Sequence, residues 1–324
     1  MPKFNPIFTF SKINLKLTKK SSRFIFSNYF IKKLLEFYIV SSPISVLYTK
    51  FIEFSKVMLK YKKNGEWIMI KILFFDIDGT LLEFGKKEMH PELIDALNLV
   101  KQKGIKIILA TGRPPFVVPK FHGIEFDGVL SFNGSYCFTP NELIYKNPLN
   151  KKDIQTFVEN AKRLNKAVTL AGINKMGCNF DDEILEEYFM IANQHVHVLD
   201  EFNNFMEEEI YQMMVATTED QNELILENTT TLNVARWWNR ACDIIPCNGG
   251  KDIGIQKILD YFNFNKEEAM AFGDGGNDIS MLKYVGTGVA MGNAKDDVKA
   301  IADYITDSVQ EDGIVSALKH FEIL

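Results

Sequence analysis

The chain is poor in the features that mark a secreted, zinc-bound or membrane-spanning protein. Its 324 residues hold four cysteines, Cys137, Cys178, Cys242 and Cys247. None of their spacings is that of a metal site: Cys242 and Cys247 are five positions apart, with no second pair to complete a zinc tetrahedron. Scattered thiols in a chain of this size suit a reducing compartment, which gives a cytoplasmic expectation. Within the first 68 residues the longest uncharged stretch, 37–49, is interrupted by Ser41, Ser42, Pro43 and Ser45. A bilayer demands about 20 apolar residues, so stable membrane insertion is not expected. An apolar segment followed by a small-residue cleavage site is lacking as well. Basic charge is scarce over residues 69–324, which carry 24 Lys and Arg against 39 Asp and Glu. That balance argues against nucleic acid as an extended partner.

What is present fits a globular protein of two compact domains: 46% hydrophobic and 24% charged residues. Residues 1–68 differ in grain, with 13 Lys and Arg against 3 Asp and Glu. Three readings compete for this basic extension. It is a membrane-surface or targeting arm, a small helical or partner-binding extension, or a stretch outside the functional protein, with translation starting at Met69. The third is preferred, because Met69-Ile70-Lys71 directly precedes the first clear strand.

That strand, Ile72-Leu73-Phe74-Phe75, ends at Asp76-Ile77-Asp78-Gly79-Thr80. In an open parallel sheet the carboxyl edge is where ligands bind. One carboxylate there can be a nucleophile, while its neighbour carries a proton and helps to hold a divalent cation. A helix opens at His90-Pro91 and closes at Gly104, since Pro suits the first helical position. A strand over 105–109 ends at Thr111-Gly112-Arg113, and another over 129–132 ends at Asn133-Gly134. The pattern resumes with an amphipathic helix over 251–262, a strand over 269–272 and the acidic turn Gly273-Asp274-Gly275-Gly276-Asn277-Asp278. A short helix to Leu282, a strand over 288–291, a helix over 294–302 and a terminal helix after Gly313 complete it. Alternating strands and helices define an α/β fold with a doubly wound, Rossmann-like parallel sheet.

Between the halves lies an α+β insert, 147–245. Its helices are expected around 154–164, 183–193 and 221–228, and its strands over 167–171, 210–217 and, as a pair, 232–245. The core is then 69–146 plus 246–324. Two features of the insert attract notice. His195-Val196-His197 places both imidazoles on one strand face, but with no further ligand beside them a structural role is preferred. Arg236-Trp237-Trp238 suits a sugar ring or a base, although strand alternation would bury one tryptophan, so a core role competes.

The polar clusters all fall where a parallel sheet presents its carboxyl edge. Asp76 and Asp78 follow one strand, Thr111 the next, and Asp274, Asn277 and Asp278 a third; Lys251 starts a helix beside Gly249-Gly250. Singly, each has a bland alternative: a solvated turn, a helix entry, a solvated lysine. Together they supply nucleophile, proton carrier, metal carboxylates, hydroxyl and ammonium, the inventory for handling a phosphate dianion with a hard cation.

Asp76-x-Asp78-Gly79-Thr80, Thr111, Lys251 and Gly273-Asp274-x-x-Asn277-Asp278 resemble the four motifs of the haloacid dehalogenase-like superfamily, over residues 69–324. The acid at Asp78 is similar to that of its phosphatase and phosphomutase branches. Thr111 stands 35 positions after Asp76, and Lys251 stands 140 after Thr111. Only the second interval has room for a cap, as in the Cof-type hydrolases with a C2 (IIB) cap. Asp252, where a small residue often follows the motif lysine, is a departure that a helix's first turn accommodates.

The resemblance implies a Mg²⁺-dependent phosphomonoester hydrolase of small phosphorylated metabolites, sugar phosphates or nucleotides, working through an aspartyl-phosphate. It implies Asp76 as nucleophile and Asp78 as acid and base. Thr111, the Gly112 amide, Lys251 and Asn277 would bind phosphate. The metal would lie on Asp76, the Asp78 carbonyl and Asp274, with Asp278 holding Lys251 or a metal-bound water. Two alternatives stay open: a phosphomutase of the same superfamily, and a membrane-associated protein that keeps an idle phosphatase domain.

Overall fold

The structure is a computed structural model that describes residues 60–63 and 66–324. The basic extension before residue 60 lies outside the described residues. The described part belongs to one compact unit, Val57–Leu324. It begins with an antiparallel hairpin, β1 (Lys60–Lys63) and β2 (Glu66–Met69).

The larger of its two main sheets has eight strands. β3 (Ile72–Phe75), β4 (Lys106–Ala110) and β5 (Gly128–Ser131) run parallel on one side. β6 (Tyr136–Phe138) and β7 (Leu143–Lys146) extend that side as an antiparallel hairpin.

Four helices cover the sheet: α1 (Pro91–Gln102) early in the chain, then α6 (Lys251–Phe262), α7 (Ile279–Tyr284) and α9 (Gly313–His320) in its final third. On the other side of β3 stand β13 (Ala269–Gly273), β14 (Thr287–Ala290) and β15 (Tyr304–Ile305), all parallel. The spatial order is β15-β14-β13-β3-β4-β5-β6-β7. The chain therefore departs from β3 in one direction and later builds outward from β13 in the other. The crevice between the carboxyl ends of β3 and β13 is the switch point where an open sheet binds its ligand.

Strand alternation explains the two layers. Leu73 and Phe75 pack with Leu97 and Val100 of α1 and Ile314 and Leu318 of α9. Ile72 and Phe74 face the opposite way, toward Ile255, Ile258 and Leu259 of α6 and Met281 of α7. β3 is thus buried on both faces and reads as a continuous apolar run. Asn263, in the left-handed region at φ 55°, ends α6.

Between β7 and α6 the chain forms the α+β cap. α2 (Lys151–Arg163), α3 (Glu183–Ile191), α4 (Phe202–Phe205) and α5 (Asn222–Ile225) accompany five antiparallel strands. These are β8 (Val168–Ala171), β9 (Met176–Cys178), β10 (Gln212–Val215), β11 (Leu232–Ala235) and β12 (Cys242–Pro246), in the order β11-β12-β10-β8-β9. One face packs Met213, Val215, Cys242 and Ile244 against Ile154, Phe157 and Ala161 of α2. By alternation, Gln212, Met214 and Asp243 point the other way, and Met214 and Asp243 are paired across β10 and β12.

Three local expectations are corrected. His195 and His197 lie in a loop rather than a strand, both exposed, and His195 Nδ1 is 2.6 Å from Glu186 Oε1. β11 ends at Ala235, so strand alternation does not decide the tryptophans: Trp237 and Trp238 are both half-buried in the loop beyond it. The helix expected over 294–302 is the single turn α8 (Asp296–Lys299), because Asp303 N already donates to Gly288 O and begins the pairing of β15 with β14.

Candidate active site

The site is built from loops that follow β3, β4, β5 and β13, together with the first residue of α6. Asp76 immediately follows β3, and its amide donates to Phe272 O of β13 at 3.0 Å, which ties the first acidic loop to the strand carrying the second. Gly79 takes φ 86°, and a Cβ there would collide with the Asp274 carboxylate. Only glycine lets the two acidic loops approach this closely. Thr80 Oγ1 donates to Asp274 Oδ1 at 3.1 Å.

Lys251 is the electrostatic centre. Its side chain is 0% exposed, and Nζ donates to Asp76 Oδ1 at 2.6 Å and to Asp278 Oδ1 at 2.5 Å. Burial pulls its pKa down, but the Asp278 and Asp76 carboxylates outweigh burial and leave it raised. Asp278 is anchored a second time, since its Oδ2 accepts from the amides of Asp274 (3.0 Å) and Gly275 (2.9 Å). The ammonium and those two amides spread the negative charge of a fully buried carboxylate.

Asp76, Asp274 and Asp278 each offer a carboxylate oxygen, and all three atoms lie within 4.8 Å of one another. Burial pushes Asp76 up to about 7; Lys251 opposes the rise, while Asp278 and Asp78 add to it. Burial, then the charges of Asp76 and Asp278, push Asp274 well above the usual carboxylate range. Three carboxylates share one buried ammonium, so a further positive charge would relieve their repulsion. The donors are hard oxygens alone, which fits a divalent cation of the magnesium or calcium type rather than a soft metal.

The other sequence-expected residues fall on the same cavity. Asp78, Thr111, Gly112 and Asn277 line it together with Asp76 and Asp274. Thr111 Oγ1 accepts from Arg113 N at 3.1 Å, and Asn277 Nδ2 donates to Asn133 Oδ1 at 2.9 Å. The fold thus brings all eight expected residues into one region, six along the cavity and Lys251 and Asp278 behind its acidic end.

Four polar residues went unassigned at sequence level. Arg113 grips Asp78 with two parallel bonds, Nε to Oδ2 at 2.8 Å and Nη2 to Oδ1 at 2.6 Å. It stands two positions after Thr111, at a strand's carboxyl end, and that placement was the available signal. Asn133 sits at φ 52° in the turn after β5 and is 1% exposed. Its Nδ2 donates to Gln212 Oε1 at 3.0 Å and to Asp243 Oδ2 at 2.8 Å. Gln212 Nε2 in turn donates to Gly112 O at 3.1 Å, so cap and core meet through one polar junction. A single polar residue inside each of the apolar strands Gln-Met-Met-Val and Cys-Asp-Ile-Ile-Pro was the clue to Gln212 and Asp243.

The cap closes the cavity, about 360 Å³, with Tyr188 and Phe189 of α3 and the loop bearing Trp237 and Trp238. That loop rests on the acidic turn: a Cβ on Gly276 would lie 2.5 Å from Arg236 O.

A doubly wound sheet with buried aspartates at its switch point and an inserted α+β cap above them defines a capped phosphoryl-transfer enzyme. Residues 73–318 match the family model of the haloacid dehalogenase-like hydrolases, and the chain belongs to that family, as a phosphatase of the Cof type. It is 33% identical over 257 residues to the putative phosphatase YkrA of Bacillus subtilis, covering 78% of this chain and 98% of the relative. It is 29% identical over 263 residues to the 5-amino-6-(5-phospho-D-ribitylamino)uracil phosphatase YitU of the same organism, covering 77% and 97%. Among solved structures, a subclass IIB sugar phosphatase superposes with a TM-score of 0.71 at 34% identity, covering 78% of this chain and all of the other. Among the described residues no helix is long and apolar enough to cross a membrane.

Proposed function

We propose that this enzyme is a Mg²⁺-dependent phosphomonoesterase of small phosphorylated metabolites, acting in the cytoplasm through a phosphorylated Asp76. Residues 69–146 and 246–324 are its catalytic core, and 147–245 the cap that selects the leaving group. The observation that carries the reading is the Lys251 ammonium, buried between Asp76 and Asp278 with Asp274 alongside, at the closed end of a cavity roofed by the cap. Three unpaired buried thiols and one exposed one suit the reducing compartment.

Asp76 attacks phosphorus as the bond to the leaving oxygen breaks. Asp78, aimed by its two bonds from Arg113, gives the departing alcohol its proton. Thr111, the Gly112 amide, Asn277 and Lys251 hold the phosphoryl oxygens in line. Asp78 then takes a proton from the water that attacks phosphorus, the acyl phosphate bond breaks, and inorganic phosphate leaves. Asp278 keeps Lys251 directed at Asp76. The Asp76 carboxylate, the Asp78 carbonyl and Asp274 would hold Mg²⁺, whose positive charge would keep the nucleophile ionised and offset charge on the phosphoryl group.

The relatives' names span sugar phosphates and a phosphorylated ribitylamino-uracil, so substrates of both kinds belong in the assay. The test is phosphate release from a panel of phosphomonoesters, with and without MgCl₂. Release that needs the metal and vanishes in Asp76→Asn supports the proposal. Metal-independent release, or release by the variant at a near-normal rate, contradicts it. A mutase would be recognised by phosphate moving within one sugar in a reaction that needs a bisphosphate activator.

A further inference from the structure

Cap and core meet at a junction of side-chain amides, and the junction has a direction. Asn133 stands at its centre, at φ 52° and ψ 35° in the turn after β5, with its backbone N–H on Thr111 O at 3.0 Å. Asn is among the non-glycine residues that enter this left-handed region most readily. Its side chain joins Gln212 of β10, Asp243 of β12 and Asn277 of the acidic turn. Gly112 packs against the same group: a Cβ there would lie 3.0 Å from Asn133 Nδ2 and 3.2 Å from Asp243 Oδ2.

A side-chain amide can turn end for end at little steric cost, so its neighbours decide which end carries the hydrogens. Here the decision starts from two groups that only accept. The Gly112 carbonyl takes Gln212 Nε2 at 3.1 Å, which turns Gln212 Oε1 toward Asn133. Asp243 is the second. Burial raises its carboxyl to about 6, so it is ionised at neutral pH. Its Oδ1 accepts from the Tyr188 hydroxyl, whose oxygen in turn accepts from Trp237 Nε1, each at 2.6 Å. Asn133 therefore meets two acceptors, Gln212 Oε1 at 3.0 Å and Asp243 Oδ2 at 2.8 Å, and donates to both from Nδ2. Its Oδ1 is left for Asn277, whose Nδ2 donates to it at 2.9 Å. That bond uses one N–H of Asn277 and leaves the other for the cavity that this residue lines.

The reverse setting is unfavourable at each joint. Turned over, Asn133 would set its carbonyl against the Asp243 carboxylate. Asn277, turned over, would face the Asn133 carbonyl with its own and aim a lone pair at an anion. Both acceptors that hold Asn133 come from the cap, whereas the donor they orient belongs to the core.

We propose that Asp243 and Gln212 are positioning residues for the phosphate: by offering Asn133 two acceptors they fix its amide, and through it they turn an Asn277 N–H toward the phosphoryl oxygens. The inference rests on the phosphatase reading. It gives the cap a part in holding the group that every substrate shares, besides the selection of leaving groups.

The test is a double-mutant cycle in the intact enzyme with MgCl₂, read as kcat/KM for two phosphomonoesters with unlike leaving groups. Asp243→Leu keeps the outline of the side chain and removes both acceptor oxygens. It should lower kcat/KM at least about fivefold, by a similar factor for both esters, and raise the inhibition constant of inorganic phosphate alongside. Asp243→Asn, which keeps a carbonyl for Asn133, should recover most of the loss. In an Asn277→Ala background Asp243→Leu should cost no more than about twofold, because the donor it acts through is gone. Losses that multiply in the double variant, a loss confined to one leaving group, or no loss in Asp243→Leu overturn the proposal and leave the phosphatase reading intact. Should Asp243→Leu fail to fold, Gln212→Met removes the other acceptor and goes through the same cycle with the same opposed outcomes. Wild-type enzyme that releases phosphate from no ester overturns the phosphatase reading by itself. Titration calorimetry with inorganic phosphate then decides the positioning claim: weaker binding in Asp243→Leu that Asp243→Asn restores supports it, and equal binding by wild type and Asp243→Leu, or by neither, overturns it.

Discussion

Asp243→Asn removes a carboxylate that the fold keeps at a cost, and the cost can be worked out. Asp243 is 2% exposed on the inner face of β12. Burial pushes its carboxyl from 3.8 up to about 6, although the Tyr188 hydroxyl, the Asn133 amide and the Lys251 charge favour the ionised form. A folded pKa above the unfolded one means that the folded state holds a proton the unfolded chain has released. This group therefore costs nothing below about pH 4; stability falls as pH rises toward about 6 and levels off above it. The rise from 3.8 to about 6 is equivalent to about 3 kcal/mol at 1.36 kcal/mol per pH unit. Asn keeps the shape and one acceptor for Asn133, but its second position becomes an amide NH₂. The Tyr188 hydroxyl then loses its acceptor, at about 1 kcal/mol. The variant should be about 1 kcal/mol less stable than wild type near pH 4 and about 2 kcal/mol more stable near pH 8. Urea unfolding at both pH values, with EDTA present throughout, gives the crossing directly. Parallel stability–pH curves for the two proteins would refute the reasoning.

Other residues carry predictions of different kinds. Lys251→Met strands Asp76 and Asp278 without their counter-charge and should cost roughly 3–5 kcal/mol in urea unfolding at neutral pH; a loss below about 1 kcal/mol would mean that the carboxylates do not depend on it. Asp78→Asn should slow alkyl phosphates far more than aryl phosphates, whose leaving groups need no proton, so a uniform loss across leaving groups would remove Asp78 from the proton-transfer role. Gly276→Ala sets a methyl 2.5 Å from Arg236 O and must displace the tryptophan loop. A severalfold rise in KM is expected with a stability loss of about 1–3 kcal/mol, whereas unchanged KM would separate that loop from substrate binding.

Much of the fold was legible because local signals and tertiary packing agree. The helix expected over 251–262 is α6, Lys251–Phe262, with glycine ahead of it and a left-handed Asn behind. The central strands read correctly because burial on both faces leaves only apolar residues in Ile72–Phe75 and Ala269–Gly273. The hairpin of β6 and β7 was not foreseen: its strands are only three and four residues long and follow a turn in which Phe132 and Asn133 take φ 51° and 52°. No local pattern announces two non-glycine residues in that region.

The acidic loops were legible for a related reason, since carboxylates clustered after apolar strands have few structural uses. The cap's contribution was not. Asp243 acquires its surroundings from Tyr188 and Asn133, which lie 55 and 110 positions away. Trp237 and Trp238 face the cavity because β11 stops at Ala235. Where a loop rests after a strand ends depends on what it packs against, here the Gly275-Gly276 turn of the other half of the chain.

The most direct test of the whole account is to trap the covalent intermediate. Enzyme reacting with a good phosphomonoester substrate is quenched into acid, reduced with borohydride, digested and sequenced by mass spectrometry. The account predicts an aspartate reduced to homoserine at position 76, dependent on both substrate and Mg²⁺ and absent from Asp76→Asn. Phosphate release with reduction at another carboxylate, or at none, would contradict it.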